Sequence, residues 1–371
     1  MIAFVYILPI IACLQLHFEF DYNGPWYTYL WTIVFGEAMV GGLHWYFYDL
    51  HTSCTEFLGS MVQEINHEES WTELVEIKYT KNDKSGNSYT VTRIEERYHK
   101  EKYYFYTTRG SKLDTDYRFY SYVRGVWNVP RHTLSWDGRH IKGGVRYGSR
   151  YQRSDLDWEE LENPDKWVPI TESHSYTNKI RASNSIFKFE KIDKKQASEM
   201  GLLDYPAIYS YDAPCVLSND ILVSPFVDDL FRKFNARYAP EFEMRLYILL
   251  FDVNRGVGIS EQQRAYWQGG NKNEFIICIG LNSSEEVEWA RAFSWADEQF
   301  KEVETAQWLM HHPKLDWAAF HDWLSSHLMD WKRKEFKDFD YINLNLSLWQ
   351  ILTIIFLSIV ENAFVIYLAV S

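Results

Sequence analysis

The placement of its apolar segments constrains this chain most, because they bracket everything else. Leu346–Val370 (LSLWQILTIIFLSIVENAFVIYLAV) is long enough to cross a bilayer as a helix, with Trp349 and Tyr367 toward its ends. Trp26–Tyr48 (WYTYLWTIVFGEAMVGGLHWYFY) carries one charge, Glu37, and aromatic residues at both ends, where lipid headgroups would lie. Ile2–Leu16 has no charge; it is short for a span and close to the core of a signal peptide, yet no Lys or Arg precedes it. Three readings of that first segment stay open: a signal, a spanning helix, or a lipoprotein anchor. In the last, Cys13 of Ile10-Ile11-Ala12-Cys13 would be the attachment site. Asp21-Tyr22-Asn23-Gly24-Pro25 is a turn that makes a helical hairpin of the first two segments. The expectation is a multi-pass protein in the lipid bilayer, with an N-terminal transmembrane helical hairpin over 1–48 and a C-terminal transmembrane helix over 346–371. The basic run Lys332-Arg333-Lys334 before the last segment favours a cytoplasmic middle region.

Two of the apolar segments hold ionisable groups at depth. Glu37 lies near the middle of the second, and Glu361-Asn362 well within the third. A carboxylate at such depth costs about 2.5–3.5 kcal/mol on insertion scales, so it normally faces a bundle interior or a partner. His44 lies on nearly the same helical face as Glu37, and Gly36, Gly41 and Gly42 permit close helix contact. Glu37, His44, Glu361 and Asn362 are therefore expected to form an intramembrane polar seam within a bundle or a homo-oligomer. A protonated or snorkelling Glu without a role would use the same residues.

Between these anchors lies a region of mixed texture. The net charge of −13 excludes a nucleic-acid binder that works by neutralising phosphates. Cys13, Cys54, Cys215 and Cys278 are far apart with no metal-type spacing, which suits buried thiols rather than a disulfide framework. Residues 49–217 read as a β-rich soluble region. From Trp71 to Arg153, Val, Ile, Tyr and Thr alternate with charges, and Asn82–Asn87 is a hairpin turn signal. TDYRFYSYVRGVW and HIKGGVRYGSRYQ continue the alternation as strands. The tyrosines suit strand faces half in water, or a carbohydrate- or partner-binding platform. Residues 218–345 read as an α/β unit: a helix with Pro225 in its first turn, the strand MRLYILLF, a helix from Ser260, the strand FIICIGL, a third strand EVEWARAFSW, and a helix over Asp316–Lys334.

The turn Trp267-Gln268-Gly269-Gly270-Asn271-Lys272-Asn273 raises the question of a phosphate cradle. Phosphate loops run from strand through glycines into a helix N-terminus. Here the order is helix, glycines, strand, so the glycines meet the negative end of a helix dipole and read as a C-cap. This helix, ILLF-type strand, short helix, aromatic-x-Gly turn, polar NKNE step and apolar strand together resemble the TPM domain over 218–335. That domain occurs in bacterial membrane-anchored proteins and thylakoid photosystem-repair proteins, often followed by a transmembrane helix. Glu274 stands where that family commonly has a glycine. The segments HSYTNKIRASNSIFKF and GLLDYPAI resemble uncharacterised membrane proteins of tailed bacteriophages.

The TPM resemblance implies a weak phosphatase or a calcium binder, with Asp228, Asp229 and Asp252 as the positions that could carry it. LFDVNRGVG is no calcium loop, since only Asp252 and Asn254 offer side-chain oxygens at suitable spacing. His311, His312, His321 and His327 gather in one stretch, but no two of them sit at the i, i+3 or i+4 offsets of a zinc helix. His132, His140 and His174 are isolated. The leading expectation is a membrane protein that displays a soluble domain for interaction or assembly, with a protein partner or a second copy and no cofactor. The alternatives are a membrane-anchored hydrolase using a divalent cation, and an ion-conducting or transport component built on the intramembrane carboxylates.

Overall fold

The computed structural model describes residues 6–19, 24–82, 88–129, 134–135, 147–153, 156, 158–183, 189–209, 211–295, 299–342, 344 and 346–370. The turn residues Asp21–Asn23 and Asp83–Asn87, the segment 136–146, His132 and His140 lie outside the described residues. The chain is a mixed α+β protein. Helices α1 (Leu8–Phe18) and α2 (Tyr27–Thr52) lead into β1 (Ser53–Glu68), β2 (Trp71–Asn82), β3 (Ser88–His99), β4 (Lys102–Thr107) and β5 (Lys112–Thr115). Then come α3 (Tyr117–Trp127), β6 (Leu134–Ser135), β7 (Tyr147–Gln152), α4 (Trp158–Glu162), β8 (Pro169–Thr177), α5 (Lys179–Ala182) and α6 (Lys194–Met200). The rest is β9 (Val216–Ser218), α7 (Pro225–Phe242), β10 (Arg245–Asp252), α8 (Gly258–Tyr266), β11 (Glu274–Leu281), β12 (Val287–Ser294), α9 (Phe300–His311), α10 (Trp317–His327) and α11 (Leu348–Val370).

Two compact units result, and they cut across the sequence-based boundaries. One gathers residues 1–56, 174–192 and 334–371, the other 57–173 and 193–333. In the first, α1, α2 and α11 form a bundle around Val40, Ile351 and Ile354, with Leu8, Leu43 and Phe47 packed against them. Among the described residues one helix, over Leu348–Leu368, is long and apolar enough to cross a membrane. The expected N-terminal hairpin is present as two helices, but neither passes that test. α1 spans 11 described residues, and Glu37, His44, Asp49 and His51 dilute the hydropathy of the 26-residue α2.

The second unit holds two larger sheets. The six-stranded sheet runs β5-β4-β1-β7-β6, with β8 also on β1. Antiparallel register places Ile65 of β1 between Phe105 and Tyr151, at the centre of a core that includes Val62, Val123, Trp127 and Ile170. Tyr117–Trp127, expected as a strand, is instead helix α3. Asp116 caps it by accepting the N–H of Phe119 at 2.9 Å, Asn128 ends it in the left-handed region (φ 53°), and Tyr120, Val123 and Trp127 fall on one buried face. A cap at each end and a helical apolar stripe outweigh the strand preference of its tyrosines. β2 and β3 form a separate two-stranded ribbon with twelve residue pairs, from Trp71–His99 to Asn82–Ser88.

The four-stranded sheet runs β12-β11-β10-β9, parallel among β9, β10 and β11, with β12 antiparallel. β10 and β11 are buried along almost their whole length, which is why they read as unbroken apolar runs. β9 is too short to pair with the start of β10, and Asn235 of α7 takes its place there. This buried side chain accepts the N–H of Leu246 at 2.7 Å and donates to the carbonyl of Leu246 at 3.0 Å. On its other side α7 lies so close to β1 that a Cβ on Gly59 would fall 2.2 Å from the Asn235 carbonyl oxygen. The helix expected over Asp316–Lys334 ends at His327, and α9 before it was not anticipated. Trp308 on Trp323 at 5.2 Å joins these two helices, and within each the stack continues, Trp308 on His312 at 4.0 Å and Trp323 on His327 at 4.3 Å.

Asn235→Ala leaves a buried N–H and a buried carbonyl without partners, each a loss of about 1–3 kcal/mol. Chemical denaturation should show a destabilisation of about 3 kcal/mol; a change below about 1 kcal/mol would mean that the strand start finds other partners. A pH dependence follows from Glu302 of α9, which accepts the hydroxyl of Ser294 at 2.8 Å. Burial raises its carboxyl above the ordinary value, against the pull of that hydrogen bond. The folded chain then keeps a proton that the unfolded chain releases. This contribution to stability is full below the ordinary carboxylate pKa and is lost as pH rises through the raised one. Glu302→Gln should flatten the fall in stability from acid toward neutral pH; parallel profiles for variant and wild type would remove Glu302 as its source.

Candidate functional site

The sequence singled out polar residues within apolar helices, and the bundle brings part of that set together. Ser358, Glu361 and Asn362 stand at i, i+3 and i+4 on α11 and share one face. Ser358 is fully buried and Asn362 nearly so; Glu361 is half-buried, with both carboxylate oxygens shut off from solvent. Asn362 donates to the Leu8 carbonyl at 3.2 Å, which ties α11 to α1. Its own carbonyl oxygen, the Ser358 hydroxyl and both oxygens of Glu361 have no hydrogen-bond partner among the described residues. Gly36 of α2 closes the cluster: a Cβ there would lie 2.5 Å from Pro9 and 3.6 Å from Glu361 Oε2. Chemically the cluster is rich in acceptors and poor in donors.

The rest of the expected seam lies elsewhere. His44 Nδ1 meets the Tyr6 hydroxyl at 3.0 Å, and His51 meets Gln350 Nε2 at 3.3 Å, so polar contacts recur at separate levels of the bundle. Glu37 is half-buried and joins no hydrogen bond or ion pair among the described residues. Of the three glycines only Gly36 makes a close contact; Gly41 and Gly42 face open space.

The carboxylates proposed for hydrolysis are each used locally in the other unit. Asp228 accepts the N–H groups of Cys215 (3.1 Å) and Val216 (3.2 Å) at the entry to β9, and pairs with Arg232. Asp229 pairs with Lys233 at 2.7 Å and Arg232 at 2.9 Å; the bonds from Lys233 and Arg232 outweigh burial and hold its carboxyl below the ordinary range. Asp252 accepts the N–H of Asn254 at 2.8 Å and closes the turn leaving β10. Entry to β9 and exit from β10 are different ends of the sheet, so these residues form no common site. Among the described residues no group of three or more His, Cys, Asp or Glu could hold a metal ion. His311 and His312 meet carbonyls of their own helix at 2.7 Å, while His321 meets Asp322 and His327 stacks on Trp323.

At the glycine turn α8 ends at Tyr266, and Gln268, Gly269 and Gly270 all take positive φ (55°, 81° and 81°). The turn is a helix terminus, and Glu274 fills its mouth. That fully buried carboxylate accepts the Asn271 N–H at 2.8 Å, the Asn271 side-chain N–H at 2.9 Å and the Tyr205 hydroxyl. Burial raises its pKa in spite of these three donors. In the sequence Glu274 stands out only as a departure from a glycine, and Arg245, the fully buried cation beside it in the sheet, is not marked as a site residue. The sole signal for either was a charge at the first residue of a buried strand. No protein-family model, curated protein or solved structure matches the chain.

Gly36 and Gly41 lie one and a half turns apart on α2 and give a matched pair for testing the bundle contact. Gly36→Leu should lower the stability of the protein by about 2 kcal/mol or more through overpacking against Pro9. Gly41→Leu should stay within about 0.5 kcal/mol of wild type. Equal effects at the two sites would remove the close approach at Gly36.

Proposed function

We propose that this chain is an integral membrane protein whose terminal helices lie in the bilayer and whose other unit serves interaction or assembly with a protein partner. The observation that carries the reading is the reversed polarity of the bundle. On α11 the residues facing outward are Leu352, Phe356, Ile359 and Phe364, each about half exposed or more, while Ser358 and Asn362 face inward. α1 and α2 repeat the pattern, with Ile10, Leu14, Trp31 and Phe35 outside and Thr32 buried. Contiguous apolar surface of this extent is unfavourable in water and favourable in lipid, where buried hydroxyl and amide groups with small residues join helices. Trp26, Trp45 and Trp349, all well exposed, suit the headgroup level. In this reading all three helices are in the membrane, α2 being held there by its neighbours in spite of its lower hydropathy.

For residues 218–335 the alternation of α7, β10, α8, β11 and β12 supports the TPM-like reading, on the order of elements alone. The metal-dependent hydrolase draws no support from Asp228, Asp229 and Asp252, which are spent on separate local contacts. Alkaline carbonate extraction of membranes from cells making the full chain tests the anchorage. The protein should stay in the pellet and leave it only with detergent; release by carbonate would overturn the reading.

A further inference from the structure

The ribbon of β2 and β3 stands apart from both larger sheets. With twelve residue pairs it is the longest hairpin among the described residues, yet most of its side chains are exposed on both faces. Two strands alone are marginal in water, and each strand here has an outer edge that pairs with no strand among the described residues. The ribbon's charges balance, with Glu73, Glu76, Glu95 and Glu96 against Lys78, Lys81, Arg93 and Arg97, although the chain as a whole is strongly acidic.

The charges on β2 reverse sign about its centre. Reading outward from Ile77, the neighbours are Glu76 and Lys78, and four residues away stand Glu73 and Lys81. Two copies of this strand laid antiparallel, with Ile77 opposite Ile77, would bring each of these four charges directly opposite its counterion. Val75 would face Tyr79 and Leu74 would face Thr80. Opposite charges and β-branched–aromatic pairs across strands stabilise a sheet, whereas like charges destabilise it. A parallel in-register pairing sets Glu against Glu and Lys against Lys. No other antiparallel register of β2 with itself matches all four charges, and no register of β3 with itself does so. Glu73 already meets His99 Nε2 at 3.1 Å through one oxygen, and its other oxygen can serve the second copy.

We propose that the occupant of the β2 edge is a second copy of this chain, paired antiparallel about Ile77 so that two ribbons form one four-stranded sheet. The inference names the partner in the assembly reading above and is independent of membrane anchorage, since the residues involved are remote in sequence from the terminal helices.

The test uses the full-length protein in mild detergent. The native cysteines are all buried, so Ile77→Cys supplies the one accessible thiol among the described cysteine positions. Mild oxidation should give a disulfide-linked dimer. Adding Lys78→Glu and Lys81→Glu makes the strand wholly acidic, and adding Glu73→Lys and Glu76→Lys makes it wholly basic. Each charge variant alone should lose cross-linking at least tenfold, and a mixture of the two should recover it as a mixed dimer. Recovery in the mixture also shows that the variants are folded. Cross-linking that is unchanged in the like-charged variants, or absent from the mixture, overturns the proposal. Neither result alters carbonate extraction, so failure here is separable from failure of the membrane reading.

Discussion

Arg245 occupies the point in the larger unit where its two main sheets meet, and much of that unit is arranged around keeping this cation buried. Its guanidinium donates to Thr171 Oγ1 of β8 at 3.0 Å and to the Ala213 carbonyl at 2.8 Å, and it lies over the Tyr247 ring at 5.3 Å. A cation removed from water costs several kcal/mol unless hydrogen bonds and an opposite charge offset the loss. An opposite charge stands nearby on Glu274, its neighbour across the parallel register of β10 and β11, although the two make no direct ion pair. Glu274 in turn fixes Asn271 and Tyr205, so two neighbouring buried side chains organise a sheet junction, a helix terminus and the loop bearing Tyr205. The entry ends of the strands are therefore filled by the chain's own side chains.

A second set of contacts completes the same junction from the side of β1. Asn273 donates to the Phe57 carbonyl at 2.7 Å, and Gly59 lies against the backbone of α7 at Asn235. Asn235 itself extends the ladder of β10 where β9 runs out. One helix thus serves as a packing surface for one sheet and as a surrogate strand for the other. A Cβ at position 59 or the loss of the amide at position 235 would act on both sheets at once. The compact unit begins at residue 57, where these contacts begin.

What was legible in the sequence follows the range of the interactions involved. The buried parallel strands β10 and β11 could be read because apolar runs of strand length have few other uses, and the glycine turn because helix polarity alone excludes an anion there. α3 was misread because Tyr and Val alternate locally; its decisive signals were the Asp116 cap and the spacing of Tyr120, Val123 and Trp127. β1 went unread because it joins directly to α2 without turn residues. Of the polar seam, Glu361 and Asn362 are together as their adjacency requires, while the placement of Glu37 and His44 depended on helix rotation, which a single sequence does not fix. Arg245 and Glu274 were invisible as a pair because their proximity is set by strand register between segments far apart in the chain.

The two units solve the problem of polar groups in opposite ways, and the ribbon fits neither solution. In the bundle the polar atoms turn inward and apolar side chains cover the outside. In the larger unit buried charges such as Arg245 and Glu64 are met by hydrogen bonds with the residues around them. The ribbon keeps charges of both signs in the open on a sheet too small to hide them, and this has a consequence for two molecules of net charge −13. Repulsion between whole chains acts over distances comparable to the Debye length, about 8 Å at physiological ionic strength, and is largely screened beyond it. Cross-strand side chains lie only about 5 Å apart, inside that range. Salt of physiological strength therefore removes more of the repulsion that opposes approach than of the attraction between Glu73 and Lys81 or Glu76 and Lys78. A neutral strand whose charges reverse sign about its centre is the kind of surface on which an otherwise acidic chain can meet its own copy.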